Sequence, residues 1–221
     1  ERIFQLKIDV LGRIWKEFRR QNTRTMYQAF ENFREEMSPA LNDDILYYLL
    51  KEEHMRQDGE TGWDWRTWSR REPGISERNP AALERARDRH EQAMLFHSFI
   101  QFVLTRQWDE LTQYANERQV DFMIDMPFAP ADARVWQNPG IISIGDQEGG
   151  YPRREVQGVP GKKETPLGQI WQFSVYDFQR PAASEYLRDV FQINQRRAKY
   201  VRFDHAPGPY QVYVFLMDVG E

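Results

Sequence analysis

Apolar and polar residues alternate along this chain with periods that change at identifiable points. Ile3, Leu6, Ile8, Leu11, Ile14, Trp15 and Phe18 keep close to the three/four spacing of one helical face. That pattern predicts helices over about Arg2 to Lys51, with Arg19, Arg20 and Arg24 on a solvated side. A second apolar run, Ile45 to Leu50, follows Asn42-Asp43-Asp44, which reads as an N-cap region. Gly59, Gly62, Pro73 and Gly74 mark a polar connector that also carries Trp63, Trp65 and Trp68, rings expected to pack on the neighbouring helices. From Pro80 to Arg118 the stripe Met94, Phe96, Phe99, Ile100, Val103, Leu104, Trp108, Leu111 and Tyr114 predicts one long helix.

The period then switches. Val120 to Ile124 is a short apolar run ending at Asp125, and it predicts a strand. A helix feeding directly into a short strand is the αβ unit of a parallel sheet or barrel. Residues 126–180 are rich in Pro, Gly, Asp and Gln without a sustained period, which predicts a long functional loop rather than disorder, given its aromatics. Ala183 to Arg197 reads as a helix, and Tyr200 to Asp204 as a second strand.

Helix, short strand, strand-end aspartate and loop therefore occur twice, at Asp125 and at Asp204. In (β/α) barrels the reacting groups sit at the carboxyl ends of strands. The same residues also serve as helix caps or turn formers, so position alone leaves both readings open. Asp204 is the stronger candidate because Arg202, two residues earlier, shares its face of the strand. A neighbouring cation keeps a carboxylate ionised and oriented, as a nucleophile requires; the plain alternative is an ordinary Arg–Asp pair. His205 adds a polar group at the strand mouth. His54, His90 and His97 have no metal-ligand spacing relative to it, so neither a metal nor another cofactor is expected.

Composition narrows the class. Lys and Arg number 30 against 34 Asp and Glu, a net charge of −4, which argues against a strongly basic nucleic-acid binder. No apolar run is long enough to predict a membrane span, and without cysteine there is no disulfide framework or thiol nucleophile. The chain opens on Glu1 without a basic or apolar leader, which suggests a processed or excised segment of a cytoplasmic protein. Aromatics reach 14%, with seven Trp, at a mean hydropathy of −0.78. Such rings suit the apolar faces of sugars, although core packing is the simpler use.

The order of segments resembles the amylomaltase, or 4-α-glucanotransferase, family. Phe96-His97-Ser98-Phe99-Ile100-Gln101-Phe102 through Arg106-Gln107-Trp108 and Tyr114-Ala115-Asn116 resembles the helix before that family's third barrel strand. Asp125-Met126-Pro127 and Val135-Trp136-Gln137-Asn138-Pro139 resemble its next two motifs. Gly158-Val159-Pro160, Gly168-Gln169, Trp171 and Tyr176 resemble its long substrate loop, and Arg202-Phe203-Asp204-His205 its fourth-strand motif. The resemblance implies an α/β fold, a partial (β/α)8 TIM barrel of glycoside-hydrolase type. Residues 1–79 would form a helical region and residues 80–221 the partial barrel, with the long loop at 126–180.

The chemistry implied by the resemblance is retaining transfer between α-1,4-glucans such as maltooligosaccharides, with no nucleic-acid or membrane partner. Asp204 matches the nucleophile that forms a covalent glucosyl intermediate, and Arg202 the arginine that positions it. His205, Asp125, Gln169 and Trp171 match substrate-binding positions, and Trp136 is a further sugar-facing candidate. Retention also needs a second carboxyl group about 5–5.5 Å from the nucleophile. In the family that glutamate lies on a later strand, so the chain by itself is expected to be inactive. Departures from the family pattern include Gly161-Lys162-Lys163-Glu164, Gln172-Phe173-Ser174 and Ala206-Pro207. They motivate a rival reading, a degenerate non-catalytic α-glucan-binding protein; a helical scaffold with accidental matches is a third.

Overall fold

The computed structural model describes residues 2–21, 24–37, 39–127, 129–143, 153–159, 161, 168–203 and 213–218. Three helices come first: α1 (Arg2–Gln21), α2 (Arg24–Glu36) and α3 (Pro39–Asp58). Two 3-10 turns, Gly59–Trp63 and Trp65–Arg70, fill the connector. The long helix α4 (Pro80–Asn116) begins where sequence places it: the Asn79 side chain accepts a hydrogen bond from the Ala81 N–H at 3.0 Å, and Pro80 occupies the first turn.

Helix α4 ends in a way the sequence conceals. Gln119 takes a left-handed φ of 59°, its N–H bonds Asn116 O at 3.1 Å, and the Val120 N–H reaches back to Ala115 O at 3.0 Å. This pair of bonds is a Schellman closure, usually built on glycine. It uses Val120 to turn the chain, so strand β1 begins later than the apolar run, at Met123–Met126. Asp125 consequently lies within the strand.

Beyond β1 come α5 (Asp132–Gln137), a 3-10 turn at Pro139–Ile141, β2 (Arg153–Val159) and β3 (Gln169–Ser174). Residues 126–180 thus contain regular elements too short to impose a visible period. They are followed by α6 (Pro181–Arg197), β4 (Tyr200–Phe203) and β5 (Tyr213–Asp218). Strands β1 and β4 pair in parallel, whereas β3, β2 and β5 form a separate antiparallel sheet in that order. No helix among the described residues is long and apolar enough to cross a membrane.

The main core joins the connector to both long helices and to α5. Leu46, Tyr47 and Leu50 of α3, Trp68 and Ile75 of the connector, Ala82 and Ala86 of α4, and Val135 and Trp136 of α5 are all buried together. Trp68 donates to Gly62 O at 2.7 Å and Trp136 to Ile75 O at 3.1 Å, so each indole is buried with its one donor satisfied. Trp65 is likewise buried, as expected for rings packing on the helices. A second cluster of Phe30, Phe99 and Phe102 takes Trp15 and Phe18 from α1, while Arg20 stays on the solvated side and bonds Glu17 in its own helix.

Asn42-Asp43-Asp44 is not a cap. Pro39 starts α3 one turn earlier, leaving both aspartates inside the helix. Asp43 accepts from Arg78 at 2.5 Å and Arg87 at 2.9 Å, and Asp44 pairs with Arg134 at 2.7 Å. Through these pairs the two carboxylates tie α3 to the connector, α4 and α5.

Candidate functional site

The parallel pairing of β1 with β4 sets Asp125 opposite Arg202, each the third residue of its strand. Adjacent strands stand about 4.8 Å apart, so side chains at one level on one face meet. Arg202 Nε lies 2.5 Å from Asp125 Oδ1, and Nη2 donates to Oδ2 at 2.7 Å. This is a bidentate fork–fork bond, the geometry for which a guanidinium is suited and an ammonium is not. Both side chains remain more than half exposed, at 58% and 56%. The pair is therefore a fixed, open feature at the sheet.

The strand reading expected Arg202 to act on Asp204. Arg202 is seen to hold Asp125; Asp204 and His205, on which that expectation turns, lie outside the described residues. Two of the five N–H groups of Arg202 serve Asp125, which leaves three for another acceptor. Gln169 and Trp171 fall in β3, where Gln169 pairs with Val159 and Ile170 with Gly158. They belong to the antiparallel sheet and not to the one carrying Asp125 and Arg202.

Trp136 is removed as a sugar-facing candidate. It is fully buried, packed against Tyr47 and Trp68, and Arg78 lies over its ring at 4.4 Å. The Val-Trp pattern that carries it is thus a packing feature.

The segment after β1 is held by residues the sequence reading passed over. The Ala131 N–H donates to the Tyr186 hydroxyl at 3.3 Å, and Gln137 Nε2 donates to Asp44 at 2.7 Å. Burial raises the Asp44 pKa, and Arg134 and Gln137 work against that rise. Burial likewise pushes the Tyr186 and Tyr176 hydroxyls up, so both stay neutral. Asp132 is the first residue of α5. Among the described residues no group of three acidic or histidine side chains comes together to hold a metal.

Residues 1–217 match the model of a family described as 4-alpha-glucanotransferase, glycoside hydrolase family 77. The 4-alpha-glucanotransferase of Aquifex aeolicus is 30% identical over 213 residues, covering 94% of this chain and 40% of the relative. That of Synechocystis sp. is 31% identical over 206 residues, covering 91% and 39%. An amylomaltase from Streptococcus agalactiae, solved in complex with acarbose, aligns with a TM-score of 0.71 at 22% identity, covering 98% of this chain and 44% of that one. The chain thus spans about 40% of the length of these curated relatives.

Proposed function

The chain belongs to the 4-alpha-glucanotransferase family of glycoside hydrolases, and from that premise we propose that it is the central part of an enzyme transferring α-1,4-glucan segments with retention of configuration. Residues 1–79 are its helical region. Residues 80–221 carry two successive αβ units of a (β/α)8 barrel, with the long segment 126–180 shaping the substrate groove. The location is cytoplasmic.

The observation that carries this reading is the Asp125–Arg202 fork. In a barrel enzyme the strands' carboxyl ends converge on the substrate, and here those ends bring a fixed guanidinium two residues before Asp204. With its remaining N–H groups Arg202 donates to the Asp204 carboxylate, keeping it ionised and aimed. Asp204 attacks the anomeric carbon; the glycosidic bond to the leaving oxygen breaks, and that oxygen takes a proton from a general acid. An acceptor sugar hydroxyl then displaces Asp204, returning its proton to the same group. Glutamate is the family's general acid, on a later strand. His205, Gln169 and Trp171 hold the donor glucan.

The test is disproportionation of maltotriose by the full-length protein. Glucose and longer maltodextrins are expected to accumulate, and to vanish with Asp204→Asn. Binding of maltodextrin with no redistribution in the unmodified protein would overturn the catalytic reading in favour of a non-catalytic glucan binder.

A further inference from the structure

Strand β1 ends at Met126 and α5 begins at Asp132, so only residues 127–131 separate the strand that carries Asp125 from that helix. Pro127 and Pro130 lie in this segment, and Pro130 is buried. Each proline fixes its own φ, which stiffens a connection already too short to hold slack. A shift or rotation of α5 is therefore passed to the carboxyl end of β1 and to the Asp125–Arg202 fork.

A helix of six residues is too short to be stable alone, so its neighbours decide where α5 lies. It packs chiefly on α3, in the helical region. Ala133, Val135 and Trp136 bury its inner side, but apolar burial is non-directional and leaves rotation free. Directional bonds set the rotation. Asp44 uses one carboxylate oxygen for each of two α5 side chains: Oδ1 accepts from Gln137 Nε2 at 2.7 Å, and Oδ2 pairs with Arg134 Nη2 at 2.7 Å. The Gln137 amide also donates to Ala40 O at 3.1 Å. Residues 40 and 44 lie one turn apart on α3, as do 134 and 137 on α5, so the bonds form two rungs between facing helix stripes. The Asp44 and Arg134 side chains are only 19% and 27% exposed, which limits screening by water and salt. On the other side, Tyr186 takes the Ala131 N–H from α6, a helix packed on both β1 and β4.

We propose that Asp44, a residue of the helical region, is a positioning residue for the transfer reaction. It clamps α5 through Arg134 and Gln137, and through residues 127–131 it sets the level at which Asp125 meets Arg202. The helical region thus aligns the reacting end of the strands from outside the barrel. What the clamp serves rests on the transferase reading; the clamp itself rests on the contacts alone.

The experiment uses the full-length protein with Asp44→Asn, which has nearly the same shape, still accepts from Gln137 and loses the charge for Arg134. With maltotriose, kcat is expected to fall about tenfold at an unchanged KM, as for a small misplacement of the reacting groups. The melting temperature should stay within about 2 °C of the unmodified protein. Arg134→Gln should reproduce the loss, and the double variant should lose no more than either, since the two act as one unit. Amide hydrogen exchange across 127–137 should quicken about tenfold in Asp44→Asn with the rest of the chain unchanged. An undiminished kcat overturns the proposal. So does a fall in kcat that comes only with a melting temperature about 5 °C or more lower, or losses that multiply in the double variant. An unmodified protein that redistributes no maltotriose would remove the transferase reading instead; exchange then decides the clamp, quickening supporting it and unchanged rates overturning it.

Discussion

Arg202 and Asp125 face each other across β4 and β1 and are joined by two parallel N–H to oxygen contacts of 2.5 and 2.7 Å. Neither strand is complete as a site without the other, because the carboxylate on β1 fixes the guanidinium on β4. An exposed pair of this kind contributes little to folding, about 0–1 kcal/mol. Its worth lies in orientation.

Arg202→Lys keeps the charge and loses the fork. Maltotriose disproportionation by the full-length protein should fall about 100-fold, a loss typical of one transition-state-orienting group, with a melting temperature within about 2 °C of the parent. Asp125→Asn should follow the same pattern with a smaller loss in kcat. Full activity in Arg202→Lys would mean that the fork positions nothing.

Trp136 separates packing from binding. Trp136→Ala removes a fully buried ring and leaves Ile75 O without its donor, so denaturant unfolding should show a loss of about 3–5 kcal/mol. Trp136→Phe fills most of the volume and should leave KM for maltodextrin unchanged. A KM that rises in a folded Trp136→Phe protein would restore the ring to the substrate groove.

Gly62 tests the connector. A Cβ at this position would stand 2.3 Å from His54 O, against backbone that cannot rotate away. Gly62→Ala is therefore expected to destabilise by about 1–3 kcal/mol through overpacking. Gly59→Ala meets no neighbouring atom but must adopt a φ of 63°, so its smaller loss should come from backbone strain alone.

His54 should make stability depend on pH. It is buried, stacked on Trp68 with centroids 5.0 Å apart, and burial lowers its pKa below the ordinary 6.5, with Asp58 opposing the shift. As pH falls below about 6.5 the unfolded chain takes up the proton first, so stability is fully present above that pH and declines below it until the folded pKa is reached. His97 is depressed in the same direction by burial and adds to the slope. Melting temperature recorded from pH 7.5 to 5 should drop less steeply for His54→Phe, which keeps the stack and removes the proton site. An identical slope in both proteins would exclude His54 as the source.

Much of this was legible in the chain. The three/four stripe marks α1 and α4, and Pro80 marks where α4 begins, because helical period and the first-turn preference for proline are local and show in neighbouring residues. The helix–strand order around Asp125 and Arg202 was readable for the same reason, although β1 starts later than its apolar run and runs one residue past Asp125. What pairs with what was not. Arg202 and Asp125 lie 77 residues apart, and only the parallel register brings them to one level. Asp43 and Asp44 have the composition of a cap, yet their arginine partners at 78, 87 and 134 come from remote segments. Trp136 belongs to a motif for which composition leaves a sugar-facing use open beside the simpler core use; the surrounding Tyr47, Trp68 and Arg78 decide for the core. Sequence alone determines the elements and the residue types at their ends, since those depend on neighbours a few positions away. Tertiary structure decides partners, burial and clefts, since those depend on contacts that close long loops and carry no local period.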